Sequence, residues 1–326
     1  MKMIENKSIT NKIMKTKVIL VAILFMSCMF AKAQNVASSP EYIKALTVEW
    51  TGERFADGRP KVSDNLLERL KKITLEEAWA ELINLGYFNQ FEGNWKLLNE
   101  NDNYIMTGRA VTAQFMPART DLENQVIEQG KKEGRMWEQR RTVSWAMTTL
   151  IEGDFYVADG YNKQSYGTVV GSNLGNGVWT RSHRGAIVYG HIRDTEDLRN
   201  IKGFNLWVKG TDPSYMRKTL LTTINAPIRI GEATVLPGDA VLAKKDGVIF
   251  IPAHLVEHIV LTGEVTALFD IFGQQRIKEG KYTAGIIDSK WSDDIKKDSN
   301  VWLDTYKGKL PMTRTELDKF LQKRNF

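Results

Sequence analysis

Between residues 64 and 86 apolar positions return every three to four residues, in "DNLLERLKKITLEEAWAELINLG", a spacing that predicts helix. Thr74 to Glu77 has the form of a capping box and Gly86 that of a stop, so the stretch divides into two helices that break near Ile73. The period then changes. "YIMTGRAVTAQF" (104–115) alternates and is rich in β-branched and aromatic residues, which predicts a strand. Residues 119–150 return to helical spacing and end in "SWAMTTLI"; "EGDFYVADG" (152–160) predicts a turn and a short buried strand. A glycine-dense segment follows, then an apolar strand at 186–189 and a helix starting at Asp194. Glycine and proline punctuate 227–252 as in a β-meander, "AHLVEHIV" (253–260) predicts a short helix, and the polar, tryptophan-bearing chain after 263 predicts an arm lying on something else. Helices and strands alternate without a doubly wound regularity, so the expected class is α/β with a mixed sheet.

The first 33 residues change the charge balance. Lys12, Lys15 and Lys17 precede the apolar run "VILVAILFMSCMF", and Ala31-Lys32-Ala33 is a small-x-small cleavage site, so 1–33 is expected to be a signal peptide and the mature protein exported, to a periplasm. Cys28 offers a second reading as a lipid anchor, but it lies inside the apolar run, with Met29 and Phe30 after it. The run is short for a bilayer span and no later stretch matches it. Six of the 45 basic residues and one of the 39 acidic ones lie in 1–33, which leaves 39 against 38. The formal charge of +6 therefore gives no support for nucleic-acid binding. Cys28 is the chain's one cysteine, so the exported form is expected to hold no disulfide and to use no thiol chemistry.

Three stretches carry candidate chemistry. In "VYGHIRDTEDL" (188–198) the acids can start a helix, with Asp194 or Thr195 as cap, but a cation at a helix N-terminus is unfavourable, and Arg193 calls for another task. Its fork suits a carboxylate or an oxyanion, and Asp194 suits a hard divalent ion. "GSNLGNG" (171–177) lets backbone amides approach an anion, or is a surface turn; it matches neither a phosphate loop nor a dinucleotide fingerprint. "HLVEH" (254–258) has the spacing of inverted zinc proteases, against the plainer reading of a helix with Leu255, Val256 and Ile259 packed inward. His183 and His191 are isolated, and a hydrogen-bonded structural role suits them better than a site. No Gly-x-Ser-x-Gly occurs.

Taken together, "TGRAVTAQFMP" (107–117), "EGDFYVADG", the glycine segment at 171, "GAIVYGHIRDTEDL" (185–198) and "NAPIRIGEATVLPGDAVLAKKDGVIFIP" (225–252) stand in one order. In that order the chain resembles the RraA-like family, which holds the regulator of ribonuclease E activity A and metal-dependent aldolases acting on 4-hydroxy-4-methyl-2-oxoglutarate and 4-carboxy-4-hydroxy-2-oxoadipate. The resemblance covers roughly residues 60 to 262. It implies an α/β sandwich around a mixed, swivelling-type central sheet, with N-terminal helices over 34–100, a core domain over 101–262 and a C-terminal extension over 263–326. It also implies a ring-shaped homotrimer, or a hexamer of two such rings, with sites between subunits.

In the aldolase branch the arginine of the Arg-Asp pair holds the keto-acid oxygens and the aspartate anchors magnesium or manganese. Those roles fall on Arg193 and Asp194. Asp197 is the acid three residues on, and Glu264 or Asp270 is the expected acid from a neighbouring subunit. The aldolases carry an acid where this chain has Ser172, after Gly171; the amides around Asn173 and Leu174 remain to grip a substrate carboxylate. The expected activity is a divalent-metal lyase of the 4-hydroxy-2-oxo acid aldolase or oxaloacetate decarboxylase type, releasing pyruvate. The alternative is a non-catalytic ring used for binding or regulation. The family's older label of menaquinone methyltransferase finds no adenosylmethionine loop here.

Overall fold

Thr74 and Glu77 cap each other as the pattern predicts: the Glu77 amide donates to Thr74 Oγ1 at 3.1 Å and the Thr74 amide to Glu77 Oε2 at 2.7 Å. The computed structural model describes residues 35–100, 105–135 and 142–323. The expected signal peptide and Cys28 lie outside them. The first described elements are α1 (Pro40–Leu46), α2 (Asp64–Leu70) and α3 (Leu75–Asn84), with Gly86 in the left-handed region at φ 87° just beyond. Two short strands follow, β1 (Phe91–Glu92) and β2 (Lys96–Leu97), then the long β3 (Met106–Pro117), α4 (Thr120–Lys132), α5 (Ser144–Thr148) and β4 (Asp154–Asp159).

The segment read as a glycine loop is mostly helix. Gly171 is the N-cap of α6 (Ser172–Ser182), and Gly175 sits inside it, where an added Cβ would come within 2.2 Å of Leu198. Gly171 and Gly175 serve close packing rather than a turn. Next come β5 (Ala186–Ile192), α7 (Thr195–Arg199), β6 (Leu206–Thr211) and β7 (Thr219–Ile224). The expected meander resolves into two hairpins in different sheets: β8 (Ile228–Ile230) with β9 (Ala233–Val235), and β10 (Ala240–Lys244) with β11 (Gly247–Ile251).

Among the described residues the main sheet has nine strands in the order β1-β11-β10-β3-β4-β5-β6-β2, with β7 paired to β3. The run β3 to β6 is parallel and its neighbours are antiparallel, so the sheet is mixed, as expected. Its two edge strands, β1 and β2, are joined by the short link 93–95, and the sheet therefore curls until its edges meet. Lys209 on β6 reaches Glu92 Oε1 and the Gly93 carbonyl at 2.8 Å each, and Trp207 Nε1 donates to the Lys244 carbonyl at 2.7 Å. Alternate residues fill the inside of the curl, among them Phe155, Ile187, Trp207 and Phe250, and the β8–β9 hairpin closes it with Ile228, Ile230 and Val235. One outer face packs on α5, α6 and α7, the other on α2 and α3.

The helix expected to end at 260 does not stop there. After a single 3-10 turn it runs as α8 (Val256–Lys278), 23 residues without a break. The expected arm after 263 is helical, with α9 (Ala284–Ile287), α10 (Asp293–Thr305) and α11 (Arg314–Lys323). These helices bury Leu268, Phe272, Trp302 and Leu317 together, an apolar cluster of their own against the far half of α8. No described helix is long and apolar enough to cross a membrane.

Candidate functional site

Strand β5 ends at Ile192, and Val170 runs parallel to it there in an isolated bridge, so the chain before α6 lies beside the carboxyl end of β5. The Arg193 amide donates to the Val170 carbonyl at 3.1 Å. Asp194 then takes a left-handed conformation, φ 57° and ψ 39°, which aspartate tolerates better than most residues. The turn sends its side chain away from α7, and no side-chain bond caps that helix. Instead Asp194 Oδ2 accepts from the Ser172 amide at 3.1 Å, at the N-terminus of α6. The expectation that Asp194 caps α7 is corrected accordingly: its carboxylate serves the neighbouring helix, where the positive dipole end favours it.

Arg193 folds back over the same point. Its Nε lies 3.3 Å from Asp194 Oδ2, and its Nη1 donates to the Thr168 carbonyl at 3.4 Å. Gly171 makes this closure sterically possible. A Cβ there would stand 2.5 Å from Asp194 Oδ2 and 2.9 Å from Arg193 Cζ. Having no side chain, Gly171 also cannot cap α6, and the amides of Asn173 and Leu174 meet no acceptor among the described residues. A half-exposed guanidinium, a carboxylate with its Oδ1 unbonded and two open amides thus face one place, at the carboxyl end of a parallel strand where α/β sheets bind ligands.

The other candidates lie elsewhere. Asp197 is exposed in the first turn of α7. Glu264 on α8 is forked by Arg69, at 2.9 and 2.6 Å. Asp270 is exposed near the middle of α8, and partial burial together with the negative charges of Glu77 and Asp288 pushes its carboxyl up. Within one chain neither acid meets Arg193. His254 pairs with the Tyr87 hydroxyl at 3.2 Å and His258 with Glu81 at 2.6 Å, while Val256 and Ile259 are buried. Among the described residues no three His, Cys, Asp or Glu side chains converge to hold a metal, so the zinc-protease spacing of 254–258 builds no such site. His183 bonds Glu152 at 2.7 Å. His191 points where burial lowers its pKa, with Asp212 opposing.

Sequence reasoning missed the wall behind Arg193. Asp212 accepts from the Ser214 amide and hydroxyl, which hold its carboxyl below the usual range, and Ser214 Oγ accepts from the Tyr166 amide. Thr168, whose carbonyl receives Arg193, donates to the Ser214 carbonyl. Tyr161, Asn162 and Tyr166 all have positive φ in this segment. Ser165 and Gly167 signal a turn, but no local pattern shows that the segment braces an arginine 25 residues beyond Thr168.

An α/β protein with a curled mixed sheet and an anion-facing site at its strand ends is thus defined by geometry. A family model described as RraA-like, Aldolase/RraA, matches residues 60–250, and the chain belongs to that family. Among similar proteins is a 4-hydroxy-4-methyl-2-oxoglutarate aldolase of Thermus thermophilus, 31% identical over 84 residues, 26% of this chain and 51% of that one. The chain spans about half the length of that relative. Among solved structures, Streptomyces coelicolor RraAS2, described as an unusual member of the RNase ES inhibitor RraA protein family, is 24% identical with a TM-score of 0.56, covering 67% of this chain and 98% of that one. An uncharacterized protein from Pseudomonas syringae pv. tomato is 16% identical with a TM-score of 0.55, covering 71% and 95%. Both likenesses are of fold.

Proposed function

We propose that the protein is a divalent-metal-dependent lyase of 2-oxo acids, cleaving 4-hydroxy-2-oxo acids or decarboxylating oxaloacetate to release pyruvate. One observation carries the reading: Arg193 and Asp194 close over the N-terminus of α6, where Gly171 offers no side-chain cap, so a cation, a carboxylate oxygen and two open amides face one place. The similarity to a 4-hydroxy-4-methyl-2-oxoglutarate aldolase supports it. Export through residues 1–33 and assembly into a homotrimer or hexamer belong to the same proposal.

The donor set fits magnesium or manganese. Asp194 Oδ1 is a hard oxygen with no hydrogen bond from the described residues, and one carboxylate suffices for an ion that keeps several waters and takes further oxygens from substrate. When bound, the ion supplies an electron sink next to the 2-oxo group.

Retro-aldol cleavage passes the proton of the 4-hydroxyl to water and breaks the C3–C4 bond as C4 becomes a carbonyl. The electron pair is left as an enolate on the three-carbon fragment, which takes a proton from water at C3 to give pyruvate. Arg193 places a fixed positive charge where that oxygen becomes negative, and its bonds to Thr168 and Asp194 hold it there before substrate arrives. The amides of Asn173 and Leu174 grip the substrate carboxylate at the positive end of α6. Ser172 contributes its amide to Asp194 rather than an acid to the site, and Asp194 is the carboxylate that the described residues place beside Arg193 there. Asp197, Glu264 and Asp270 stand as the acids to test for a supporting role across a subunit boundary.

The test is pyruvate release from a panel of 4-hydroxy-2-oxo acids and oxaloacetate, with manganese and after chelation. Release that needs the metal supports the lyase; a full panel without release, in protein that binds no manganese, supports the binding-ring alternative.

A further inference from the structure

A second cavity is shaped mostly by the part of the chain that lies beyond the family match. It has a volume of about 380 Å³ and opens between α2, the middle of α8 and the segment after α10. Its apolar wall includes Ile73 and Leu268, both buried, and Ile271, which is 46% exposed. Its cations are Arg69, Lys72 and Lys309.

These three are not equivalent. Arg69 is committed through Nε and Nη2 to both oxygens of Glu264, which also lines the cavity, and the pair cancels. Lys72 and Lys309 are exposed and meet no carboxylate among the described residues. Two ammonium groups from distant parts of the chain, neither paired with a carboxylate among the described residues, therefore line one cavity with an apolar wall. Inorganic phosphate would use the charges and waste the wall; a neutral apolar molecule would do the reverse. The volume lies at the lower end of the range for small-molecule sites, roughly 300–1,000 Å³.

We infer that this cavity binds a small organic carboxylate with an aliphatic or aryl tail, its head between Lys72 and Lys309 and its tail on Ile73, Leu268 and Ile271. Within one chain the site is separate from the Arg193 region, and Glu264 is the one residue it shares with the acids to be tested for the lyase. Glu264 serves it by neutralising Arg69, which leaves the two lysines as the anion's partners.

The experiment is calorimetric titration of the full chain with octanoate, with octanamide as the uncharged control and inorganic phosphate as the tail-less one. It is done with chelator present in an Arg193→Ala background, which weakens a carboxylate at the other site, and the Lys72 and Lys309 substitutions below assign the remaining binding to this cavity. Octanoate is expected to bind saturably at one site, with neither control binding. The Lys72→Ala/Lys309→Ala double variant is expected to weaken binding at least tenfold, and Ile271→Glu to abolish it, with thermal unfolding unchanged because all three positions are exposed. Absence of saturable octanoate binding, equal binding of either control, or affinity unmoved in both variants would overturn the proposal.

Discussion

The Ser172 amide donates to Asp194 Oδ2 at 3.1 Å, joining the start of one helix to the turn that opens another, 22 residues on. This bond explains why Asp194 adopts a left-handed conformation instead of capping its own helix. It also fixes one carboxylate oxygen and leaves the other to a ligand.

Gly171→Ala tests the closure of the pair. The backbone there, φ −135°, suits any residue, so the substitution acts through the Cβ alone, which would meet Asp194 Oδ2 at 2.5 Å. Displacing the pair by about 1 Å is expected to lower turnover by up to about a hundredfold. Thermal unfolding should move little. Full activity in Gly171→Ala would show that the pair does not need this contact.

Arg193→Lys keeps the charge and removes the fork. A lysine cannot bond Thr168 and a substrate in one plane, so turnover should fall on the order of a hundredfold with manganese affinity retained. Steady-state kinetics beside manganese titration separates the two effects.

Arg59→Ala tests a buried link the sequence concealed. Arg59 forks onto Asp154 at 2.8 and 3.0 Å, with both side chains almost wholly buried. Removing the cation leaves the buried Asp154, whose carboxyl burial already pushes up against the pull of Arg59, with only the Ile151 amide at 3.0 Å and Arg109 at 3.9 Å among the described residues. The expected loss is about 3–5 kcal/mol in urea unfolding, far more than for a surface pair. A loss under about 1 kcal/mol would mean that the pair adds nothing to the fold.

Asp239 gives a pH signature. It is buried beneath the turn before β10, where burial raises its carboxyl to about 7 and the amides of Leu236 and Ala253 only partly oppose the shift. A pKa raised on folding means that the native state holds the proton more tightly. Its contribution is therefore complete below the ordinary value of 3.8 and is lost as the pH rises through about 7. The stability of the natural protein relative to Asp239→Asn should fall between those values. Urea unfolding of both at pH 5 and pH 8 checks this, and parallel pH dependences would contradict it.

What the sequence revealed was local. The capping box at Thr74, the buried run of β4 and the apolar strand before Arg193 are each written within a few residues, and each formed. The relationships that build the site are not local. Nothing in "GSNLGNG" distinguishes a loop from a helix start until Asp194 arrives to receive its amide, and nothing in "TGERFADGRP" marks Arg59 as the partner of a buried acid 95 residues away. Likewise the polar look of the chain after 263 hid the apolar residues of α8, α10 and α11, whose grouping becomes legible once Phe272 and Trp302 meet, with ring centroids 5.5 Å apart.

The central claim is that Asp194 anchors a divalent ion beside Arg193. Its most direct test is manganese binding by electron paramagnetic resonance, in the natural protein and in Asp194→Asn, whose amide oxygen can still receive the Ser172 amide and so preserve the loop. The account predicts bound manganese in the first and its loss in the second, with metal-dependent pyruvate release lost in parallel. Equal manganese binding by the two proteins would contradict it.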